Sequence, residues 1–349
     1  MAFRRILGAR AAPITEDDLT YVPVRIAAGV EAIFAVDPSS DDPLGRWLVS
    51  NGYPHEPPNQ LFQHLATRDA RVVDVGAHIG TFSLAAAAAG CDVVAIEGSP
   101  ANVRLLLASK ARNAFDRLQV VHAAATDFEG SLSFIPKQAW GEIAVPDMVQ
   151  PGEEQVELPA VTVDRVVERA GWNRVHLVKI DVEGAELSVL RGMQQTLAAE
   201  PSPHVIIEIN ELQLRKHGTT GSEVKQHLAD LGYRLFFVDR DSPGDLVETL
   251  PTHAQPDCVA DFYATRAVVQ DQLGPWRVCA PFSPAEVFQR FEAAAASDHF
   301  PYRAFAATAL GEAIEAATWP LDAEFRGLLS SLAADPHEAV REYAGVAVG

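Results

Sequence analysis

Cysteine is scarce in this chain. There are 3 in 349 residues, Cys91, Cys258 and Cys279, and no two form a CxxC pair. That excludes a disulfide framework and a cysteine zinc site, and leaves each thiol as a small core residue suited to a reducing compartment. Basic residues are also short, with 28 Lys and Arg against 47 Asp and Glu and a formal charge of −19. The balance argues against a nucleic-acid binder, which needs a basic surface to displace counterions, and against docking on anionic lipid. No apolar run approaches a membrane span, and the N-terminus MAFRRILGARAAPITEDD lacks the apolar stretch of a signal peptide. The expectation is a soluble, cytoplasmic protein with no membrane insertion. Neither GKS nor GKT occurs, so there is no P-loop.

What is present is a 48% apolar composition, enough to bury the core of one large α/β domain with something added. Residues 1–55 read as an N-terminal arm with two short strands around Gly29 in VRIAAGVEAIFAVD. From residue 56 to 268 strands alternate with helices. RVVDV (71–75), DVVAIEG (92–98), LQVVHAAA (118–125), HLVKID (176–181), HVIIEIN (204–210), YRLFFVD (233–239) and CVADFYAT (258–265) read as strands. Segments 81–90, 100–115, 185–199 and 222–232 read as helices, while SLSFIP (131–136) and VELPAVTVDRVV (156–167) read as extra strands and a turn. Apolar strands between helices imply a mostly parallel sheet covered on both faces. The last two strands, joined by an ordinary loop, suit an antiparallel pair at one edge. Residues 269–284 read as a linker and 285–349 as an Ala-rich helical extension. Inside it RAFAATALG (303–311) echoes REYAGVAVG (341–349) at an offset of 38, near the period of HEAT-type repeats. Chance likeness of two Ala-rich helices competes with a true repeat. A true repeat makes the chain the front part of a longer array and its helices a surface for a protein partner.

The glycine turn DVGAHIGTFS carries the first chemistry. Gly76 and Gly80 give G-x-x-x-G, with His78 where a dinucleotide turn often has the glycine that admits a pyrophosphate. Asp74 sits just before the turn, where a negative group repels phosphate and suits a ligand bearing an ammonium or sulfonium. Glu97 ends the next strand, 21 residues after Gly76, where an acid accepts from both ribose hydroxyls. A ribose, an amino-acid moiety and no phosphate together point to S-adenosylmethionine. Against this stands the plain reading that Asp74 and Glu97 only cap helices. Ala77, Thr81 and Phe82 in the turn and first helix are placed against the methionine part, and Asp127, after the third strand, against the adenine amino group, unless it is a turn residue.

DVGAHIGTFS, AIEGSPANVRLL, VTVDRVV, VKIDVEGAELSVLRG and VIIEI, in this order, resemble the FkbM-type family of S-adenosylmethionine-dependent methyltransferases. The resemblance spans roughly residues 50–265, and KIDVEGAE is its most specific piece. It implies a Rossmann-like class I methyltransferase fold, with a seven-stranded, mostly parallel sheet whose last strand is antiparallel. It also implies methylation of hydroxyl oxygens on sugars and polyketide-type metabolites. The family more often shows Asn at the position of His78, so the resemblance assigns His78 no role. At the position of His55 and Glu56 members often carry an acid, which implies closure over the cofactor.

KIDVEGAE crowds Lys179, Asp181, Glu183 and Glu186 at a strand's C-terminal end, where ligands of open α/β sheets bind, and Glu208 ends the neighbouring strand. Three readings compete. Asp181, or His78 with its near-neutral pKa, is the general base that takes the acceptor's hydroxyl proton. Alternatively Asp181, Glu183 and Glu208 hold Mg2+ that acidifies a sugar diol. Or Lys179 and Asp181 merely pair, while Glu183 and Glu186 favour a helix N-terminus; for Glu186 this last reading is preferred. Glu183 is also placed against methionine or substrate. His122, His176 and His204 read as packed histidines, and Trp140 as one wall of an acceptor cleft or part of a surface loop. The leading expectation is an O-methyltransferase acting on a small-molecule or glycan hydroxyl. A nicotinamide-dependent oxidoreductase and a non-catalytic methyltransferase-like module with a partner-binding helical tail are the alternatives.

Overall fold

The computed structural model describes residues 18–137, 141–146, 149–150, 152–253, 255, 257–267, 273–315 and 323–348. Trp140 lies outside them. The N-terminal part is an antiparallel hairpin of β1 (Thr20–Ala27) and β2 (Val30–Val36), turning at Gly29, then α1 (Pro43–Asn51) and α2 (Pro57–Leu65). Asp42 opens α1 by accepting from the backbone N–H groups of Leu44 and Gly45, and proline follows at the first helical position, both common start signals.

Strands and helices then alternate as β3 (Arg71–Val75), α3 (Thr81–Ala88), β4 (Asp92–Glu97), α4 (Pro100–Asn113) and β5 (Leu118–His122). The third strand is shorter than its apolar run suggests. At Ala123 the chain leaves the main sheet, and β6 (Ala124–Ala125) joins a second sheet with β7 (Gly130–Ile135), β8 (Glu142–Ile143) and β9 (Val156–Val161). VDRVVER is not a turn but a helix, α5 (Val163–Arg169), because the Thr162 hydroxyl accepts from Arg165 N and caps it. After β10 (Leu177–Ile180) the expected single helix is two, α6 (Glu186–Arg191) and α7 (Gln194–Ala198). They break at Gly192, where a Cβ would lie 2.0 Å from the Thr126 carbonyl oxygen.

The remaining elements are β11 (His204–Asn210), α8 (Glu211–Lys216), α9 (Gly221–Asp230), β12 (Arg234–Val238), β13 (Asp245–Thr249), β14 (Val259–Thr265) and β15 (Arg277–Cys279). The main sheet runs β5-β4-β3-β10-β11-β14-β12-β13-β15. Strands β5, β4, β3, β10 and β11 are parallel, and β14 is antiparallel to both β11 and β12. Its first seven strands have the class I methyltransferase order, with the last strand in sequence inserted antiparallel. The loop between the last two strands is not ordinary: it carries β13, which pairs with β12, and β15 extends that edge. The antiparallel pair is therefore interior.

One sheet face, with Val72, Ala95, Leu177, Ile206 and Tyr263, packs with the N-terminal hairpin and α2–α4. The other, with Val73, Ile96, Val178, Ile207 and Phe262, packs with α5–α7 and α9. Helices α10 (Pro284–Ala295), α11 (Phe300–Glu315), α12 (Ala323–Leu332) and α13 (Glu338–Val348) enclose a separate cluster around Phe291, Phe305, Leu310 and Leu329 that also takes in Cys258. The two echoed arginines make the same bonds: Arg303 donates to the carbonyls of Ser297 and Asp298, and Arg341 to those of Asp335 and Pro336. Arg303 also pairs with Asp335, joining one helical hairpin to the next. Among the described residues no helix is long and apolar enough to cross a membrane.

Candidate active site

Parallel strands deliver their C-terminal ends to one edge, and a cavity of ≈ 340 Å³ opens there. The glycine turn makes one side. Gly76 is at φ 79°, and a Cβ on it would sit 1.7 Å from the Asp181 carbonyl oxygen, so the turn seats directly on the end of β10. His78 is left-handed at φ 52°, a conformation that Asn, Asp and His adopt more readily than other residues with side chains. Its backbone N–H donates to Glu97 Oε2 at 2.7 Å, and Ser99 N–H donates to Glu97 Oε1 at 2.7 Å. The buried Glu97 carboxylate is thereby fixed, with its remaining lone pairs open to the cavity it lines. Ile96, Ala124, Phe134 and Ile143 give the cavity an apolar side.

The opposite side is charged. Side-chain alternation puts Asp74, Lys179, Asp181, Glu208 and Asp261 on one face of four adjacent strands. Asp74 is in register with Lys179, and Glu208 with Asp261. Lys179 is buried, with Nζ 3.5 Å from Asp261 Oδ1, 3.7 Å from Asp181 Oδ2 and 5.3 Å from the Phe82 ring centroid. Burial alone depresses a lysine pKa, but the carboxylates of Asp181, Asp261, Glu208 and Asp74 override it and hold this ammonium above its ordinary value. Arg240 Nη2 lies 2.6 Å from Asp261 Oδ2 and 3.9 Å from Glu208 Oε2, and its Nη1 lies 3.2 Å from Glu56 Oε2. Burial, then the charges of Asp181 and Asp261, push Glu208 well above the usual carboxylate range. Glu183, left-handed at φ 53°, is raised to about 7 by burial and by Asp181.

Gly76, Ala77, His78, Thr81, Phe82, Glu97, Lys179, Asp181, Glu183 and Glu208 all line the cavity. Three expected residues do not. Asp74 lies fully buried beneath the floor, where Oδ2 accepts from Ser83 Oγ at 2.5 Å. Gly80 starts α3 and packs on Leu84 and Leu106. Asp127 is exposed and exchanges hydrogen bonds with Ser188, because the chain has already left the main sheet at Ala123. Glu186 accepts from Val182 N and Gly184 N, each at 3.2 Å, and holds the loop that carries Glu183. Glu56 reaches the cavity; His55 does not. His122, His176 and His204 are bonded within the fold.

The Mg2+ reading meets a different geometry. Among the described residues no three His, Cys, Asp or Glu side chains are arranged to hold a metal ion, and the cations among these carboxylates are Lys179 and Arg240. Asp42, Asn59, Asn102, Phe134, Arg240 and Asp261 line the cavity without having been anticipated. Two had a signal: Asp261 is an acid inside an apolar strand, a costly placement unless paired, and Arg240 follows a strand end.

Burial raises Asp74 to about 6 against the opposing effects of the Ser83 bond and Lys179. A carboxyl whose folded pKa exceeds its unfolded value costs stability as pH rises between the two, and the cost is constant above. Asp74→Asn, which keeps an acceptor for Ser83, is expected to stabilise the ligand-free protein by on the order of 2 kcal/mol at pH 8. The gain should shrink as pH falls through 5 towards 4. Urea melts at both ends of that range check it, and an equal gain at each contradicts the assignment.

Solved methyltransferases align with the chain at low identity and low TM-score. A SAM-dependent methyltransferase from Agrobacterium tumefaciens aligns at 11% identity and TM-score 0.38, over 73% of this chain and 72% of that one. A precorrin-6y C5,15-methyltransferase from Geobacter metallireducens aligns at 13% and 0.35, over 60% and 87%. A 16S rRNA N2 methyltransferase of T. thermophilus, in complex with AdoMet and guanosine, aligns at 15% and 0.36, over 74% and 53%. No curated protein sequence matches the chain. Residues 74–235 match the model of the methyltransferase FkbM domain. The chain therefore carries, over those residues, a segment that matches the methyltransferase FkbM domain.

Proposed function

We propose that the protein methylates a hydroxyl oxygen of a sugar or of a glycosylated or polyketide-type metabolite, with Asp181 as general base. The observation that carries this reading is the pairing of a one-third exposed carboxylate, Asp181, with a buried ammonium, Lys179, at the cavity's edge (3.7 Å). S-adenosylmethionine, when bound, supplies the methyl group. The residues that line the cavity fit it: the fixed Glu97 carboxylate offers acceptors for ribose hydroxyls, and Ile96, Ala124 and Phe134 offer an apolar wall for adenine. Glu97 and Asp42 beside the glycine turn favour a cationic, phosphate-free group over the pyrophosphate of a dinucleotide.

The residues divide the proton work. Lys179, held protonated by the surrounding carboxylates, is not the base, and its ammonium lies 3.7 Å from the Asp181 carboxylate. Asp181 accepts the hydroxyl proton as the oxygen attacks. Glu208, pushed up by burial and its acidic neighbours, lines the cavity with Asp181 and is placed to hydrogen-bond the acceptor. The His78 side chain turns instead towards the N-terminal segment, with Nε2 3.6 Å from Asp42 Oδ2. The charge of −19 supports a small or glycan acceptor over a nucleic acid.

Calorimetry with S-adenosylhomocysteine tests the cofactor placement. Wild type should bind, and Glu97→Ala should bind roughly 10- to 100-fold more weakly, the loss of a charged hydrogen-bonding partner. Undiminished affinity in a folded Glu97→Ala protein refutes the placement.

A further inference from the structure

Helix α10 reaches the chain segments that border the cleft through Arg290. Arg290 lies on α10, and its side chain is only 17% exposed. Its Nη2 donates to Asp239 Oδ1 at 2.9 Å, and its Nη1 lies 3.4 Å from Asp241 Oδ2 and donates to both oxygens of Asp257 at 3.1 and 3.3 Å. Its guanidinium stands 4.7 Å from the Phe282 ring centroid and 5.6 Å from that of Phe237. Asp239 and Asp241 flank Arg240. They run to Arg290, while Arg240 runs to Asp261, Glu208 and Glu56 in the cavity. Asp257 precedes β14, the strand that carries Asp261. One planar fork therefore ties together the two chain segments that deliver Arg240 and Asp261, from outside the site.

We infer that Arg290 is a positioning residue for the cleft, holding the acids on either side of Arg240 and so fixing where the Arg240 guanidinium stands. Five donors in a rigid plane, packed beside two rings, define one position for three carboxylates in a way a lysine does not. Arg240 in turn offsets the charges of Asp261 and Glu208 and tethers Glu56 at the cavity's mouth. What Arg240 does for turnover rests on the methyl-transfer reading; where it stands does not. An Arg290 that only anchored helices would change stability and leave Arg240 alone.

The test reads Arg240 directly, in proton–nitrogen spectra of the arginine side-chain Nε–H groups of the full chain. The Arg240 signal is identified by its loss in Arg240→Lys. In Arg290→Ala it should exchange with water about tenfold faster while core amides keep their protection, and Arg290→Lys should restore only part of the protection. Arg303→Ala, which breaks an ion pair within the same helices, should leave the signal as in wild type. If Arg290→Ala does not fold, Asp241→Asn, at an 80% exposed side chain, should give a smaller shift of the same sign. An unmoved Arg240 signal in the Arg290 variants overturns the inference, as does an equal change in Arg303→Ala. The spectrum needs neither cofactor nor acceptor, so failure of the methyl-transfer reading, seen as no S-adenosylhomocysteine binding by wild type, is a separate result.

Discussion

Asp181→Asn is expected to bind S-adenosylhomocysteine with wild-type affinity and to transfer methyl groups ~10²–10⁴-fold more slowly, the range lost with a positioned general base. The substitution is confined to the side chain. The backbone at Asp181 is held by its N–H donating to the Val75 carbonyl at 2.9 Å and by close seating of Gly76 on its own carbonyl. Asparagine fills the same space and keeps a hydrogen-bonding oxygen, but it neither attracts the hydroxyl proton nor retains it. Lys179 still has Asp261 at 3.5 Å, so the buried ammonium is not stranded. His78→Asn, allowed by the left-handed backbone at φ 52°, is the companion measurement. It should keep most of the turnover, since its ring faces Asp42 rather than the carboxylate row. Added EDTA should leave the rate unchanged, because Lys179 and Arg240 already sit among the acids a metal would need. The readout is incorporation of labelled methyl into a panel of glycans and glycosylated metabolites. A wild-type rate in Asp181→Asn removes it as base, and a full shift of the loss to His78→Asn moves the role there.

The alternation of strands and helices was legible because each central strand is an unbroken apolar run, as burial on both faces demands. The glycine turn and Glu97 were legible for a related reason: ligands of such sheets gather at strand C-termini, and those positions can be counted. What was not legible came from contacts between distant segments. The break at Gly192 depends on a carbonyl of Thr126, far away in sequence. Asp127 was misplaced because the exit of the chain at Ala123 is set by pairing with β9, which local propensity does not show. Asp74 reads as a ligand-facing acid from its strand position, but the side-chain period of two turns it under the floor beside Lys179. Arg240 and Asp261 became part of the site only when β14 inserted between β11 and β12. The echo of RAFAATALG in REYAGVAVG can be seen in the sequence alone, whereas the link from Arg290 to the segments beside the cleft needs the loops after β12 and before β14 to meet.

Lys179→Met is expected to cost about 3–5 kcal/mol of stability at pH 8, the effect of removing one partner from a buried ion cluster. Methionine matches the length and apolar contacts of the lysine stem, including the approach to Phe82, so the loss is chiefly electrostatic. The wild-type ammonium has its pKa raised in the fold, so its contribution is fully present below the ordinary lysine value and is lost only at strongly alkaline pH. Without it, Asp74, Asp181, Glu208 and Asp261 face one another, with Arg240 left to offset Asp261 and Glu208. Asp74 and Glu208, already raised by burial and no longer opposed by the ammonium, are pushed further up, and the penalty is largest at high pH and fades as they protonate. The gap between Lys179→Met and wild type should therefore narrow steadily from pH 8 to pH 5, the opposite of what a packing defect gives. Urea melts across that range measure it, and a gap that stays constant with pH would mean that Lys179 holds the fold by its shape rather than by its charge.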